Sequence, residues 1–143
     1  MSMIEPDRRM GGWTGAGYDD IRVGQEFPSY ELRIEAADVA RFYGCLGEVR
    51  PTPETGSRIP SFLLNEIRAM KSGMKLPPGV LHAQEELEMI SPARLGEVLT
   101  VAVMIADKFI RNGKRFVVVL QRVASAADGR SIMKIRRILY WPC

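Results

Sequence analysis

The sequence predicts an α+β domain: a curved antiparallel sheet of five or more strands wrapped around a central helix at about residues 60–72. Three observations carry this expectation. Four long stretches rich in β-branched and aliphatic residues occupy the chain from residue 80 to residue 141. Asn-Gly and Asp-Gly dipeptides separate the last three of them. Ahead of them, two short segments switch to the apolar period of a helix.

Taken in order, residues 1–17 carry Gly11, Gly12, Gly15 and Gly17 with little periodic apolar content, and read as a flexible N-terminal arm before a single domain over 18–143. In "FPSYELRIE", Tyr30, Leu32 and Ile34 alternate onto one face, which predicts a strand from about Phe27 to Ile34 with Pro28 at a strand start or an edge. In "EAADVARFYGCLG", Val39, Phe42, Tyr43 and Leu46 follow i, i+3, i+4, i+7, the pattern of a short helix, with Gly47 available to end it. The stiff polar stretch "LGEVRPTPETGSRIPS" (46–61) follows. A second helix is predicted from about Pro60 to Ser72, with Leu63, Ile67, Met70 and Met74 on one stripe; Phe62 and Leu64 broaden the stripe enough to bury it.

Strands are then expected at 80–90, 97–111, 114–126 and 131–141, the last three as a meander turning at Asn112-Gly113 and Asp128-Gly129. A flat 15-residue strand would span about 50 Å. That length demands strong twist or a bulge in so small a domain.

With 143 residues, 46% hydrophobic and 26% charged, the composition suits one globular domain with an ample core. No apolar run reaches about 18 residues, and "MSMIEPDRRM" lacks the apolar core of a signal peptide, so a cytoplasmic protein without membrane insertion is expected. Cys45, Cys143 and the single histidine, His82, do not form a zinc-binding spacing, and no metal is expected. The net charge of +3 conceals nine Lys/Arg against two acids between Asp107 and Arg137, which leaves the rest of the chain net negative. Strand alternation alone produces such solvated basic faces. A basic patch can also attract the phosphates of a nucleotide-bearing ligand or of nucleic acid.

Two stretches then stand out together. "VGQEFPSYELRIEAADVARFYGCLGEVRP" reads as an opening strand and helix leading into a loop, and "VLHAQEELEMISPARLGEVLTV" as a strand, a turn and a Gly-acidic-x-Leu entry into the next strand. In this order and spacing, from about Asp20 to Trp141, the chain resembles the MaoC-like hydratases and dehydratases of acyl-thioesters, which have the hotdog fold. "IPSFLL" (59–64) also resembles the helix start of the subtype that forms the non-catalytic N-terminal half of two-part dehydratases.

The resemblance implies a reaction in which a carboxylate and an imidazole share a water and add it across a 2,3-double bond. In the family these groups come from a loop of the form Asp-x-x-x-Pro-x-His-x-Asp. Matching its proline to Pro51 brings Pro53 to the histidine position and Glu48 to within one residue of the acid position. The resemblance therefore implies an acyl-CoA-binding domain that is catalytically silent, working as a homodimer or beside a catalytic hotdog subunit. Coenzyme A would enter only as part of the substrate, and no separate cofactor is implied.

Ser61 and Phe62, at the start of the second helix, are implied to face the thioester carbonyl with backbone N–H groups; Ser61 could equally serve the helix end alone. Arg136 and Arg137 are candidates for the coenzyme A phosphates. Plain alternation puts His82 with Gln84, Glu86 and Glu88 on a polar face, as an ordinary surface histidine or a ligand contact. Glu66 is the helix carboxylate that a hotdog thioesterase would use, or a solvated one. Two other functions stay open: a thioesterase using Glu48 or Glu66, and a nucleic-acid-binding β domain on the basic meander. The meander offers only Phe109 and Phe116 before Tyr140 and Trp141.

Overall fold

The structure is a computed structural model that describes residues 2–4, 17–65, 67 and 72–142. Its strands are β1 (Ser2–Ile4), β2 (Glu26–Arg33), β3 (Leu81–Met89), β4 (Val98–Arg111), β5 (Lys114–Ser125) and β6 (Ser131–Trp141). Helix α1 (Ala36–Cys45) and the single turn α2 (Ser61–Leu64) lie between β2 and β3. All neighbouring strands are antiparallel, in the order β1-β2-β4-β5-β6-β3. Consecutive strands β3 and β4 thus have two strands, β5 and β6, between them, and residues 90–97 cross the end of the sheet. No helix among the described residues is long and apolar enough to cross a membrane.

The meander forms where the turn residues predict it. Arg111 pairs with Lys114 across a two-residue turn whose Asn112 and Gly113 both have positive φ, 51° and 72°. That conformation matches the right-handed twist of the flanking strands. The second turn is looser: Gly129 takes φ 72° while Asp128 stays out of the left-handed region and accepts the Arg130 N–H at 2.9 Å. The length of β4 is accommodated by a register shift between Ile105 and Asp107.

Two expectations change. Ser2–Ile4, assigned to the arm, pairs with β2 (Ser2 opposite Arg33) as an edge strand; residues 5–16 lie outside the described residues. Of the helix expected over 60–72, the described residues show the turn Ser61–Leu64, with Asn65 and Ile67 outside a helix and Ser72 in a 3-10 turn. Residues 66 and 68–71, with Glu66 and Met70 among them, lie outside the described residues. Leu63, Leu64 and Ile67 are buried as the stripe requires, but Phe62 is 78% exposed. A single turn has room for one inward side, and Leu63 and Leu64 occupy it.

The core lies between these few helical residues and the inner face of the sheet: Leu32, Leu99, Val101, Ile105, Val117, Ile132, Ile135 and Trp141 are all nearly inaccessible. Helix α1 closes its N-terminus with a capping box in which Glu35 N–H donates to Asp38 at 2.8 Å, and ends at Gly47 with φ 73°.

One ionic knot fixes the 90–97 crossover. Arg130 donates to Glu97 (2.9 Å), to the Pro92 carbonyl (3.3 Å) and to Ser91 Oγ (3.2 Å), and Arg94 N–H donates to Glu97 (3.1 Å). Burial pushes the Glu97 carboxyl upward, but hydrogen bonds from Ser125, Arg94 and Arg130 outweigh it and hold the group below its ordinary value of 4.5.

Two outcomes are expected. Asn112→Val forces a β-branched residue into the left-handed region and should cost about 1–2 kcal/mol in urea unfolding, while Asn112→Gly should be nearly neutral. A carboxylate depressed on folding stabilises above its ordinary value and loses that contribution as pH falls through its folded value. Urea midpoints should therefore fall as pH drops below 4.5, and Glu97→Gln should flatten that dependence.

Candidate functional site

The 46–60 loop leaves α1 at Leu46, where Glu48 N–H still donates to the Tyr43 carbonyl (3.0 Å). Arg50 then folds back: its guanidinium lies 4.2 Å from the centre of the Tyr43 ring, and its Nε donates to Glu48 at 2.7 Å. Cation–π contact and ion pair together keep Glu48 engaged on the surface. Pro51 is exposed and Pro53 half-buried. The loop then docks on the crossover: Gly56 N–H donates to the Leu95 carbonyl, Leu95 N–H to the Ser57 carbonyl and Ile59 N–H to the Ala93 carbonyl, at 2.8 to 3.1 Å. Ser61 and Phe62 emerge exposed at the start of α2, whose Leu63 N–H bonds back to the Pro60 carbonyl at 3.0 Å.

Beyond α2 the chain enters a buried polar cluster. Carbonyls past a helix end have no partner within the helix and must find one elsewhere. Here β5 and β6 supply it. Arg137, 8% exposed, donates to the Ile67 carbonyl (3.2 Å), the Asn65 carbonyl (3.2 Å) and the Gln121 side-chain oxygen. The fully buried Gln121 donates its own amide to the Ile67 carbonyl at 3.2 Å. Tyr30, also buried, lies within the field of Arg137. Burial pushes its phenol up to about 12, partly offset by the guanidinium, so it stays neutral at physiological pH.

Strand β3 completes the cluster through a bulge. The register with β6 shifts between His82 and Gln84, so His82 opposes Leu139 while Glu85, Leu87 and Met89 oppose Arg137, Ile135 and Met133. All four β6 partners face the core. The bulge therefore corrects the polar-face placement of His82: it shares the inner face with Glu85, and its Nε2 lies 3.3 Å from Glu85 Oε2. The same Oε2 stands 3.6 Å from Arg137 Nε. Glu85 Oε1 and Asn65 Oδ1 are buried and have no hydrogen-bond partner among the described residues.

The structure thus brings His82 and Arg137 together through Glu85. It does not bring Arg137 together with Arg136, which points to the outer face with Glu86 at 3.8 Å. Glu48 and Pro51 belong to the loop, whose docking point at Ala93 lies past the opposite end of β3 from His82. Phe109 and Phe116 face each other across β4 and β5, stacked 5.1 Å apart, and Tyr140 meets Phe116 edge-on at 6.2 Å. Among the described residues no group of three His, Cys, Asp or Glu could hold a metal.

Sequence reasoning missed Glu85, Gln121, Asn65 and Tyr30. A usable signal existed for Gln121, which is in phase with the core residues Val117, Val119 and Val123 and is polar where its neighbours are not.

No protein-family model matches the sequence, and no curated protein matches it significantly. Solved structures do match. The unliganded R-hydratase PhaJ1 from Pseudomonas aeruginosa superposes with a TM-score of 0.69 at 20% identity, covering 99% of this chain and 88% of that one. A MaoC-like dehydratase from Rhodospirillum rubrum gives 0.69 at 21% identity, covering 89% and 97%. The HadBC 3R-hydroxyacyl-ACP dehydratase complex from Mycobacterium tuberculosis gives 0.62 at 14% identity, covering 82% and 96%. With its antiparallel sheet packed on a buried helical segment and these superpositions over most of its length, the chain is a hotdog-fold domain whose structural neighbours are MaoC-like and R-specific hydratases and dehydratases.

Proposed function

We propose that the chain is an acyl-thioester-binding domain that works as the catalytically silent partner of a dehydratase or hydratase subunit. One observation carries the reading. The loop that would bear the reacting pair keeps an acid, Glu48, but Arg50 holds it at 2.7 Å, and Pro53 occupies the place of the imidazole. The one histidine of the chain sits on β3, beyond the opposite end from the loop's dock, and is engaged with Glu85. Water addition needs a carboxylate and an imidazole converging on one water, and the loop supplies no such pair.

The partner is inferred from the free edge of the sheet. Among the described residues no strand pairs with the outer edge of β3, and eight of its nine residues are exposed, including Leu81, Leu87 and Met89. Such an edge invites another strand. A second hotdog chain, either a copy of this one or a catalytic subunit, would cover it. The HadBC neighbour, a complex, is consistent with the second arrangement. The bound molecule would be an acyl-CoA, with coenzyme A as part of the ligand.

The test is thermal shift of the purified protein against acyl-CoAs of differing length, run beside an enoyl-CoA hydration assay. Ligand at a hundredfold excess over Kd should raise apparent stability by about 2.7 kcal/mol, with no hydration by the isolated protein. Absence of stabilisation by every acyl-CoA would overturn the binding reading, and turnover by the isolated protein would overturn the silent one.

A further inference from the structure

The outer face of the sheet carries an apolar layer of its own. Along β5, Val117, Val119 and Val123 face the core, so Phe116, Val118, Leu120 and Arg122 face away from it. Their partners on β6 are Tyr140, Ile138, Arg136 and Lys134, and Phe116 meets Phe109 of β4. Val118 is fully buried without belonging to the core, so neighbours on the outer face close over it. Phe116, Leu120, Ile138 and Tyr140 are half-buried. The described helices lie on the other side of the sheet, where Val39, Leu63 and Leu64 join the core. A contiguous apolar patch on an outer face marks an interaction surface.

The surroundings of the patch decide its occupant. Phe109 and Phe116 stack on each other, Tyr140 meets Phe116 edge-on, and the Arg111 guanidinium lies 5.4 Å from the centre of the Phe109 ring. These ring faces are engaged within the chain, so a nucleic-acid base has none on which to stack. An anionic membrane would meet Glu26, Glu86, Glu88 and Asp107, which share the outer face by register. A second copy of the chain turns the same charges to advantage. Arg111 and Lys114 stand at one end of the patch and Arg122 and Lys134 toward the other, while Glu86 and Glu88 flank it on β3, and Glu26 and Asp107 flank it on β2 and β4. Two copies with aligned strands would lay basic end on basic end. With strands crossing at about 90°, each basic end falls on an acidic flank, and a two-fold axis repeats the contact.

We infer that the outer face of β4, β5 and β6 is the contact between two copies of this chain, packed sheet on sheet with their strands crossed. The face is separate from the β3 edge, so this contact adds to whatever subunit that edge receives. Four strands of about eleven residues cover roughly 700 Å² a side, close to the ~800 Å² of a standard stable interface. Leu120 sits at the centre of the face, in one cross-strand row with Glu26, Met104, Arg136 and Glu86.

Sedimentation equilibrium of the full chain tests the contact. Leu120→Lys puts a charge at the apolar centre and should weaken association about 10-fold or more, halving the mass of the assembly while circular dichroism stays unchanged. Charge exchange then identifies the partner. Arg122→Glu with Lys134→Glu in one protein, and Glu86→Lys with Glu88→Lys in another, should each dissociate the assembly alone. An equimolar mixture of the two should restore it, because each protein then opposes the reversed charges of the other; that recovery also shows both to be folded. Equal masses for the unaltered chain and Leu120→Lys would overturn the contact, including the case of copies joined only at the β3 edge. Dissociation by Leu120→Lys with no recovery in the mixture would overturn the crossed packing. Acyl-CoA binding is read separately, by thermal shift, and stands or falls on its own.

Discussion

Arg137 is the residue around which the interior is arranged. Past α2 the Asn65 and Ile67 carbonyls lie where water cannot satisfy them, and the Arg137 guanidinium, backed by Gln121, binds both. A buried guanidinium is tolerable only because acceptors and the Glu85 carboxylate surround it. Removing one member of a buried charged pair commonly costs about 3–5 kcal/mol, because the other is left desolvated and alone. The same contacts that complete the fold thus tie the end of α2 to β6. Stability and site geometry depend on one side chain.

The bulge in β3 is the second determinant, and it acts through parity. A strand with no irregularity would send His82 outward with Gln84, Glu86 and Glu88. One extra residue between paired positions reverses everything on its N-terminal side. His82 turns inward, the Glu85 carboxylate comes within 3.3 Å, and an ordinary surface histidine becomes part of a polar cluster. Arg136 and Arg137 show the same parity without a bulge, since adjacent strand residues serve opposite faces and cannot grip one phosphate group together.

Much of the architecture was legible in advance. The β4–β5–β6 meander follows from Asn112-Gly113, Asp128-Gly129 and aliphatic alternation, and the bulge in β4 follows from a strand too long for its domain. Helix α1 and its Gly47 terminus came from spacing alone. The site was less legible. Arg137 and His82 were singled out, but Arg137 for phosphates and His82 for the wrong face. Glu85, Asn65 and Gln121 went unnoticed because their role is to satisfy groups brought near by distant parts of the chain. Gln121 lies 54 residues from the carbonyl it bonds.

The sequence by itself determined the order of elements, the turns and the phase of the core residues, since each depends on neighbouring residues or on residue identity. Only the tertiary structure decided that β3 lies beside β6 rather than β4, that a bulge reverses His82, and that Arg137 faces stranded carbonyls instead of solvent. The physical reason is range. Periodicity and turn chemistry are set within a few residues, whereas strand order and the pairing of buried polar groups are set by closing the sheet over its core, which brings together groups 70 and more residues apart.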